Sequence, residues 1–278
     1  MFAKAGGTFI KISKRKALFL AFCIIALCSL LAVQLLLHPK PDLSRAVARA
    51  IDFFRDSREP YALLWLDVIY RRFGVAEFAD ALQRYDQVLA ERPEQAPLLR
   101  VFRRIADHDN QLQAEDLQKV TNELDLITVP ALYCDRLGLP DDYPATLEKA
   151  VSRGGYMLTH VLLALIWIHE NGCEVQLPEG FIEEVYHANA ALINDDPVVN
   201  DLELEAAAFL YLAGQGALVN YAFVERVIAV QNDDGGWRYS SDVPGESNWH
   251  PTILGLLLLL HVRFPSDSYP PMLAPALP

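Results

Sequence analysis

Apolar side chains recur with helical spacing along almost the whole chain, and few segments alternate as β-strands do. This pattern predicts helices at about 43–56, 59–73, 76–91, 96–107 and 113–137, the last with a break near Pro130. It predicts further helices at about 144–153, 157–171, 179–194, 200–214, 219–231 and 250–263. We therefore expect an all-α fold.

Two kinds of helix follow one another along the chain. Residues 38–123 predict an amphipathic helical neck region, rich in Arg, Asp and Glu as surface helices are. Over 124–278, apolar helices such as "LTHVLLALIWIHENG" alternate with amphipathic ones such as "GFIEEVYHANAALI". This order is typical of helical hairpins that close into a ring with one helix of each pair inside. We predict an incomplete or small α/α-toroid of helical hairpins over 124–278.

The N-terminal part has the pattern of a membrane anchor. A basic tail, residues 1–16, precedes an apolar run from Ala17 to Leu37 that is long enough to span a bilayer as one helix. The basic residues in front of the run favour an extracytoplasmic body, attached to an inner or plasma membrane by a single pass. No A-x-A signal follows the run, so we expect an uncleaved signal anchor.

Charge excludes one class of partner. Residues 1–40 carry six basic and no acidic side chains, which leaves 18 basic against 36 acidic side chains for the remainder. Nucleic acids and anionic lipid surfaces are bound through clustered positive charge. We expect no nucleic-acid partner for this acidic body.

Two cysteines, Cys134 and Cys173, lie outside the predicted anchor. A disulfide between them and two free, buried thiols both remain open at this point. Neither cysteine belongs to a C-x-x-C pair, which excludes a zinc site built mainly from cysteine.

A glycine-paired motif carries a resemblance. Residues 231–237 read Q-x-x-x-G-G-W at the end of one predicted helix, and His250 opens the next helix after a loop. Over about 219–264, and more loosely back to about 124, this arrangement resembles the repeat of the terpenoid cyclase and protein prenyltransferase superfamily. The resemblance implies an α/α-toroid fold. It also places His250 where prenyltransferase β-subunits have a zinc-binding histidine.

The chain departs from both branches of that superfamily. The aspartate and cysteine that complete the prenyltransferase zinc site would fall near residues 200–205, where "NDLELE" supplies Asp201 and Glu203 but no cysteine. The Asp-x-Asp-Asp motif of class II cyclases is absent from the sequence. The resemblance therefore indicates a fold more than an activity.

Four candidate site residues stand near the starts of predicted apolar helices: His160, Asp201, Glu203 and His250. Equivalent helix ends share a face in a toroid, so we expect these side chains to meet at one mouth. His160, His250 and Asp201 are a suitable ligand set for a divalent transition metal, zinc first. All four are also candidate catalytic acid–base groups without a metal. Helix capping and dipole effects are the competing explanation for both carboxylates.

Three functional hypotheses remain open. The first is a membrane-anchored pocket protein or enzyme that acts on a lipid-like or peptide substrate, with a small hydrophobic or peptide ligand. The second is a non-catalytic helical scaffold that binds a protein partner at the membrane. The third is a polysaccharide-acting α/α-toroid enzyme, which requires an open groove lined by Trp237, Trp249 and Tyr239. His187 and His261 are expected at a surface or interface.

Overall fold

The computed structural model describes residues 42–276, and all regular structure in that range is helical. This confirms the predicted all-α class. The α-helices are α1 (Leu43–Phe53), α2 (Pro60–Phe73), α3 (Ala81–Glu91), α4 (Ala96–Phe102), α5 (Ala114–Leu117), α6 (Glu123–Leu132), α7 (Cys134–Leu137), α8 (Tyr143–Arg153), α9 (Gly155–Glu170), α10 (Phe181–Ala190), α11 (Asp201–Leu212), α12 (Tyr221–Ala229) and α13 (Trp249–Arg263).

The predicted helix at 113–137 is divided into three. Helices α5, α6 and α7 occupy this stretch, and α6 gives way to α7 at Tyr133. Pro130 itself lies inside α6, and the break expected near it falls three residues later, at Tyr133. The predicted helix at 76–91 is also interrupted, since a short 3-10 helix at Ala76–Phe78 precedes α3.

Five helices form the centre of the molecule, and five others cover them. Helices α11 and α13 are buried along nearly their whole length, α2 and α9 over more than half of it, and α6 over half of it. Helices α1, α3, α8, α10 and α12 each bury one face. One hydrophobic cluster extends from Ala46 to Leu273. The helices of the predicted neck region therefore share a core with those of the predicted toroid-like region.

The loop between α12 and α13 contacts both the first helix, α1, and the last helix, α13. Gln231 donates from Nε2 to the carbonyl of Ala46 in α1, at 2.9 Å, and to that of Gly235, at 2.8 Å. Gly235 has φ +93°, and a Cβ there would lie 2.2 Å from the carbonyl oxygen of Arg49. Trp237 is buried and packs its ring against Gly255 of α13. This motif thus fixes the start of α13 against α1.

A disulfide bond links Cys134 to Cys173. It joins α7 to the segment that follows α9, and 39 residues separate its two cysteines in sequence. Of the two alternatives left open for these cysteines, the structure has the bonded one. The bond holds the C-terminal end of α9 beside α7.

The segment after α13 closes one end of the helical core. Met272 is fully buried, and the indole nitrogen of Trp167 lies 3.2 Å from its sulfur. Glu170 accepts the backbone N–H groups of Met272 and Leu273, both at 2.8 Å. Arg71 donates to the carbonyl of Met272 at 2.8 Å. The C-terminal segment is therefore part of the fold.

No helix between residues 42 and 276 is long and apolar enough to cross a membrane. The anchor predicted from Ala17 to Leu37, with the basic tail before it, lies outside the described residues.

His261 is a buried histidine, which corrects its expected place at a surface or interface. Its Nδ1 donates to the carbonyl of Leu257 at 2.8 Å, so its Nε2 accepts from Nε of Arg72 at 3.1 Å. Burial and the adjacent Arg72 charge lower the pKa of His261 to about 3. The rings of Phe73 and Tyr269 pack against it, each with a centroid distance of 4.9 Å. The imidazole is neutral in the folded protein at ordinary pH.

Loss of the disulfide should destabilise the fold. We expect the Cys134→Ala/Cys173→Ala double variant to lose about 2–4 kcal/mol of unfolding free energy, because closing a loop of this length restricts the unfolded chain. Urea denaturation of the two proteins measures the difference. A reducing agent should destabilise only the wild-type protein, and an insensitive wild type would contradict the assignment.

The buried state of His261 should make stability depend on pH. Its folded pKa lies below the unfolded value, so only the unfolded state takes up this proton as the pH falls from about 6.5 towards 3. This group alone should lower the unfolding free energy by up to about 1.4 kcal/mol per pH unit in that window. His261→Gln should flatten the profile, while Gln at exposed His169 should leave it unchanged. Equal profiles for both variants would disprove the effect.

Candidate functional site

The candidate site lies where three central helices begin. His160 is the sixth residue of α9, Asp201 the first of α11 and His250 the second of α13. Asparagines cap both later helices: Asn200 accepts from the N–H of Glu203 at 3.0 Å, and Asn248 from that of His250 at 2.9 Å. Because asparagine supplies the caps, the side chains of Asp201 and His250 are free for other contacts.

Asp201 and His250 form a hydrogen-bonded pair. Nδ1 of His250 lies 2.8 Å from Oδ1 of Asp201, and the hydroxyl of Tyr156 donates to Oδ2 at 2.6 Å. Burial lowers the pKa of His250, but the hydrogen bond to Asp201 and the charges of Asp201 and Glu205 outweigh it, and the pKa is raised. Burial and the bond to Asp201 raise the pKa of Tyr156, which keeps its phenol protonated. Since a carboxylate only accepts, the proton of His250 is held at Nδ1.

Glu205 lies between the two histidines and is fully buried. Its Oε1 accepts from the hydroxyl of Thr159 and lies 3.2 Å from Nδ1 of His160. Its Oε2 lies 3.4 Å from Nε2 of His250 but has no hydrogen-bond partner. A buried carboxylate oxygen without a partner costs free energy, because it has lost its hydration and gained nothing in return.

His160 has a similar arrangement of ring nitrogens. Its Nδ1 lies 2.9 Å from the carbonyl oxygen of Tyr156, which only accepts, so Nδ1 carries the proton in this contact. Nε2 has no hydrogen-bond partner within residues 42–276 and remains an acceptor. In both histidines, therefore, Nδ1 is held by an acceptor and Nε2 is the nitrogen left for chemistry.

Asp201, Glu205 and His250 can each offer one ligand atom, and the three atoms lie within 4.8 Å of one another. This set differs from the expected ligands His160, His250 and Asp201, because Glu205 takes the place of His160. His160 contacts the opposite oxygen of the same carboxylate. The structure thus brings together three of the four expected site residues and adds Glu205.

Glu203 is the expected site residue that lies elsewhere. Its two oxygens accept the backbone N–H groups of Asn194 and Asn200, each at 2.9 Å, and it completes a capping box with Asn200. Residues four apart lie on one helix face, whereas residues two apart do not. Asp201 and Glu205 therefore share the face that meets His250, and Glu203 points to the opposite side. The four-residue spacing between Asp201 and Glu205 is the signal in "NDLELE" that could have identified Glu205.

A small cavity of about 130 Å³ adjoins the cluster. His160, Glu205 and His250 form part of its wall, and Asp125 of α6 faces it from another side. Burial raises the pKa of Asp125, and nearby His160 lowers it in part. Aromatic side chains form much of the remaining wall: Tyr61, Trp65, Phe102, Trp167, Phe209 and Trp249. The five central helices all contribute to this wall.

Two other surfaces are weaker candidates. Trp237 is 2% exposed and its indole nitrogen donates to the carbonyl of Val227 at 2.8 Å, so it cannot line an open sugar-binding groove. A larger open groove of about 1090 Å³ lies near the C-terminal ends of α9 and α11 and shares no residue with the smaller cavity. We place the site at the smaller cavity because the hydrogen-bonded acid–imidazole cluster borders it.

Two first-turn carboxylates, Glu203 of α11 and Glu183 of α10, should respond differently to removal of charge. Glu203→Gln should lower the unfolding free energy by about 1–2 kcal/mol, because an amide nitrogen cannot accept the N–H that one of its oxygens binds. Urea denaturation measures this loss. Gln at exposed Glu183, also in a first helical turn, removes only a dipole interaction and should cost under about 0.5 kcal/mol. Similar losses in the two variants would contradict the capping role.

Comparisons with protein-family models, curated proteins and solved structures found no match.

Proposed function

We propose that this chain is a membrane-anchored pocket enzyme that binds a divalent transition metal, zinc first, at Glu205 and His250, with Asp201 orienting His250. The unpartnered Oε2 of fully buried Glu205 carries the proposal. Buried polar atoms are almost always satisfied, and exceptions call for a missing partner. A cation between Oε2 and Nε2 of His250 supplies that partner.

The spacing of the donor atoms fits such an ion. Two ligands of a tetrahedral zinc ion with bonds near 2.1 Å are roughly 3.4 Å apart. Nε2 of His250 and Oε2 of Glu205 are 3.4 Å apart, a separation long for a charge-assisted hydrogen bond. Asp201 accepts the Nδ1 proton of His250 and orients the ring, as carboxylates do behind metal-bound histidines.

The donor set also limits the chemistry. An imidazole and a carboxylate suit zinc and other first-row divalent ions. Such an ion polarises a substrate oxygen or lowers the pKa of a bound water. The free Nε2 of His160, held in place through Nδ1, is a base on the other side of Glu205. Together these groups favour hydrolytic or proton-transfer chemistry.

The size of the cavity limits the kinds of ligand that it can hold. A cavity of 150 Å³ in another protein holds a benzene ring, and the volume here is about 130 Å³. A ring-sized or side-chain-sized group fits, whereas a complete isoprenoid chain does not. The cavity therefore favours a peptide side chain or a small molecule as ligand. It also favours a pocket protein over a scaffold with a filled centre.

An α/α-toroid is the architecture that we propose for the described part of the chain. Support comes from the alternation of central and covering helices and from the central helices that all present N-terminal residues to one cavity. Gln231, Gly235 and Trp237 make the contacts expected of the superfamily motif. The proposed ligand set contains no cysteine, which the prenyltransferase zinc site uses, so we do not extend the proposal to prenyl transfer.

We propose an extracytoplasmic location for the body, as the charge pattern around the predicted anchor indicates. The bond between Cys134 and Cys173 supports this location, because disulfides persist in oxidising compartments and are rare in the cytosol.

Metal analysis tests the proposed site. The purified full chain should contain, or take up on titration, close to one equivalent of zinc, and Glu205→Gln or His250→Gln should abolish that binding. Glu203→Gln is the matched control on the same helix and should keep the metal despite its lower stability. A wild-type protein that takes up no transition metal overturns the proposal, as does metal content that is unchanged in both site variants.

A further inference from the structure

The aromatic wall of the cavity is built from stacked pairs. Trp65 of α2 stacks on Phe209 of α11, with ring centroids 6.0 Å apart and planes inclined by 16°. Tyr61 of α2 stacks on Trp249 of α13 at 6.3 Å and 18°. Aromatic faces carry negative electrostatic potential, which attracts a cation placed over them. The cavity wall therefore includes two stacked aromatic pairs, both of which involve α2.

The same cavity contains carboxylate charge that no fixed cation balances. Asp125 and Glu205 both line it, and no lysine or arginine of residues 42–276 does so. Asp125 has no ion-pair or hydrogen-bond partner for its carboxylate within this range, and it is only partly exposed. Glu205 is fully buried. The nearby positive charge is limited to what His160 and His250 carry.

These two features point to one chemical class of ligand. A neutral aromatic or aliphatic group satisfies the apolar wall but leaves Asp125 unpaired. A primary ammonium or a guanidinium would use the carboxylates of Asp125 and Glu205 but would gain little from the six aromatic residues of the wall. An alkylated ammonium group needs no hydrogen-bond acceptor, and it would gain from both the aromatic rings and the carboxylates.

We propose that this cavity binds a quaternary or methylated ammonium group, with Asp125 as its counter-charge and Trp65, Tyr61 and Trp249 as its aromatic walls. The proposal goes beyond the metal site and does not depend on it, because Asp125 lies outside the proposed ligand set. A trimethylammonium group is similar in size to the benzene ring that a cavity of comparable volume holds.

Binding of choline to the purified full chain tests this proposal. The control ligand is 3,3-dimethylbutan-1-ol, which has the same shape without the charge. Tryptophan fluorescence reports on occupancy, since three of the four tryptophans of the chain line the cavity. We expect choline to bind about tenfold more tightly than the alcohol. Equal affinities, or no binding of either ligand, overturn the proposal.

Variants separate the contribution of the Asp125 charge to choline affinity from that of the Trp65 ring. Asp125→Asn should weaken choline about tenfold and leave the alcohol unchanged, whereas Asp233→Asn, an exposed loop substitution, should affect neither. Trp65→Leu should weaken choline more than Trp65→Phe does, and thermal unfolding checks that each variant is folded. Choline affinity that is insensitive to Asp125→Asn contradicts the proposed counter-charge. Repeating the titration after chelation separates the two proposals, since choline binding should persist without the metal.

Discussion

Five buried helices begin near one cavity, and the rest of the structure depends on this shared direction of the helices. Residues close to the starts of α2, α6, α9, α11 and α13 all line it. A helix N-terminus carries partial positive charge and unpaired N–H groups, so several of them together favour acidic side chains nearby. Asp125, Asp201 and Glu205 occupy this position. The arrangement of the helices thus explains why carboxylates are found at the centre of an apolar fold.

The loop after α12 makes this arrangement possible at the start of α13. The N–H of Trp237 donates to the hydroxyl of Thr252 at 2.9 Å, and the Trp237 carbonyl accepts the N–H of Asn248 at 2.8 Å. Asn248 in turn caps the helix on which His250 stands. Burial of one tryptophan therefore sets the position of an imidazole 13 residues later. The fold motif and the site use different residues, but a series of hydrogen bonds connects them.

Helical periodicity predicted nearly every long helix, and the helix-start argument selected His160, Asp201 and His250. The same argument selected Glu203 because it treated the first turn as one group, although only residues three or four apart share a face. Because the pattern of residues 38–123 predicted an amphipathic neck region, α2 was not expected at the site. Its Tyr61 and Trp65 nevertheless line the cavity. In these cases, contacts with residues that are distant in sequence determine where the side chains lie. The bond between Cys134 and Cys173, 39 residues apart, is another such case.

Glu205 shows why the cavity is better explained by a ligand than by stability alone. Thr159 satisfies one of its oxygens, while the other faces His250 at a distance longer than a strong hydrogen bond. An apolar residue of similar volume would pack here without that desolvation cost. Proteins depart from such packing rules mainly at functional sites, where a ligand completes the set of contacts. We therefore propose that a positively charged ligand completes the contacts of this fully buried, half-satisfied carboxylate beside an aromatic wall.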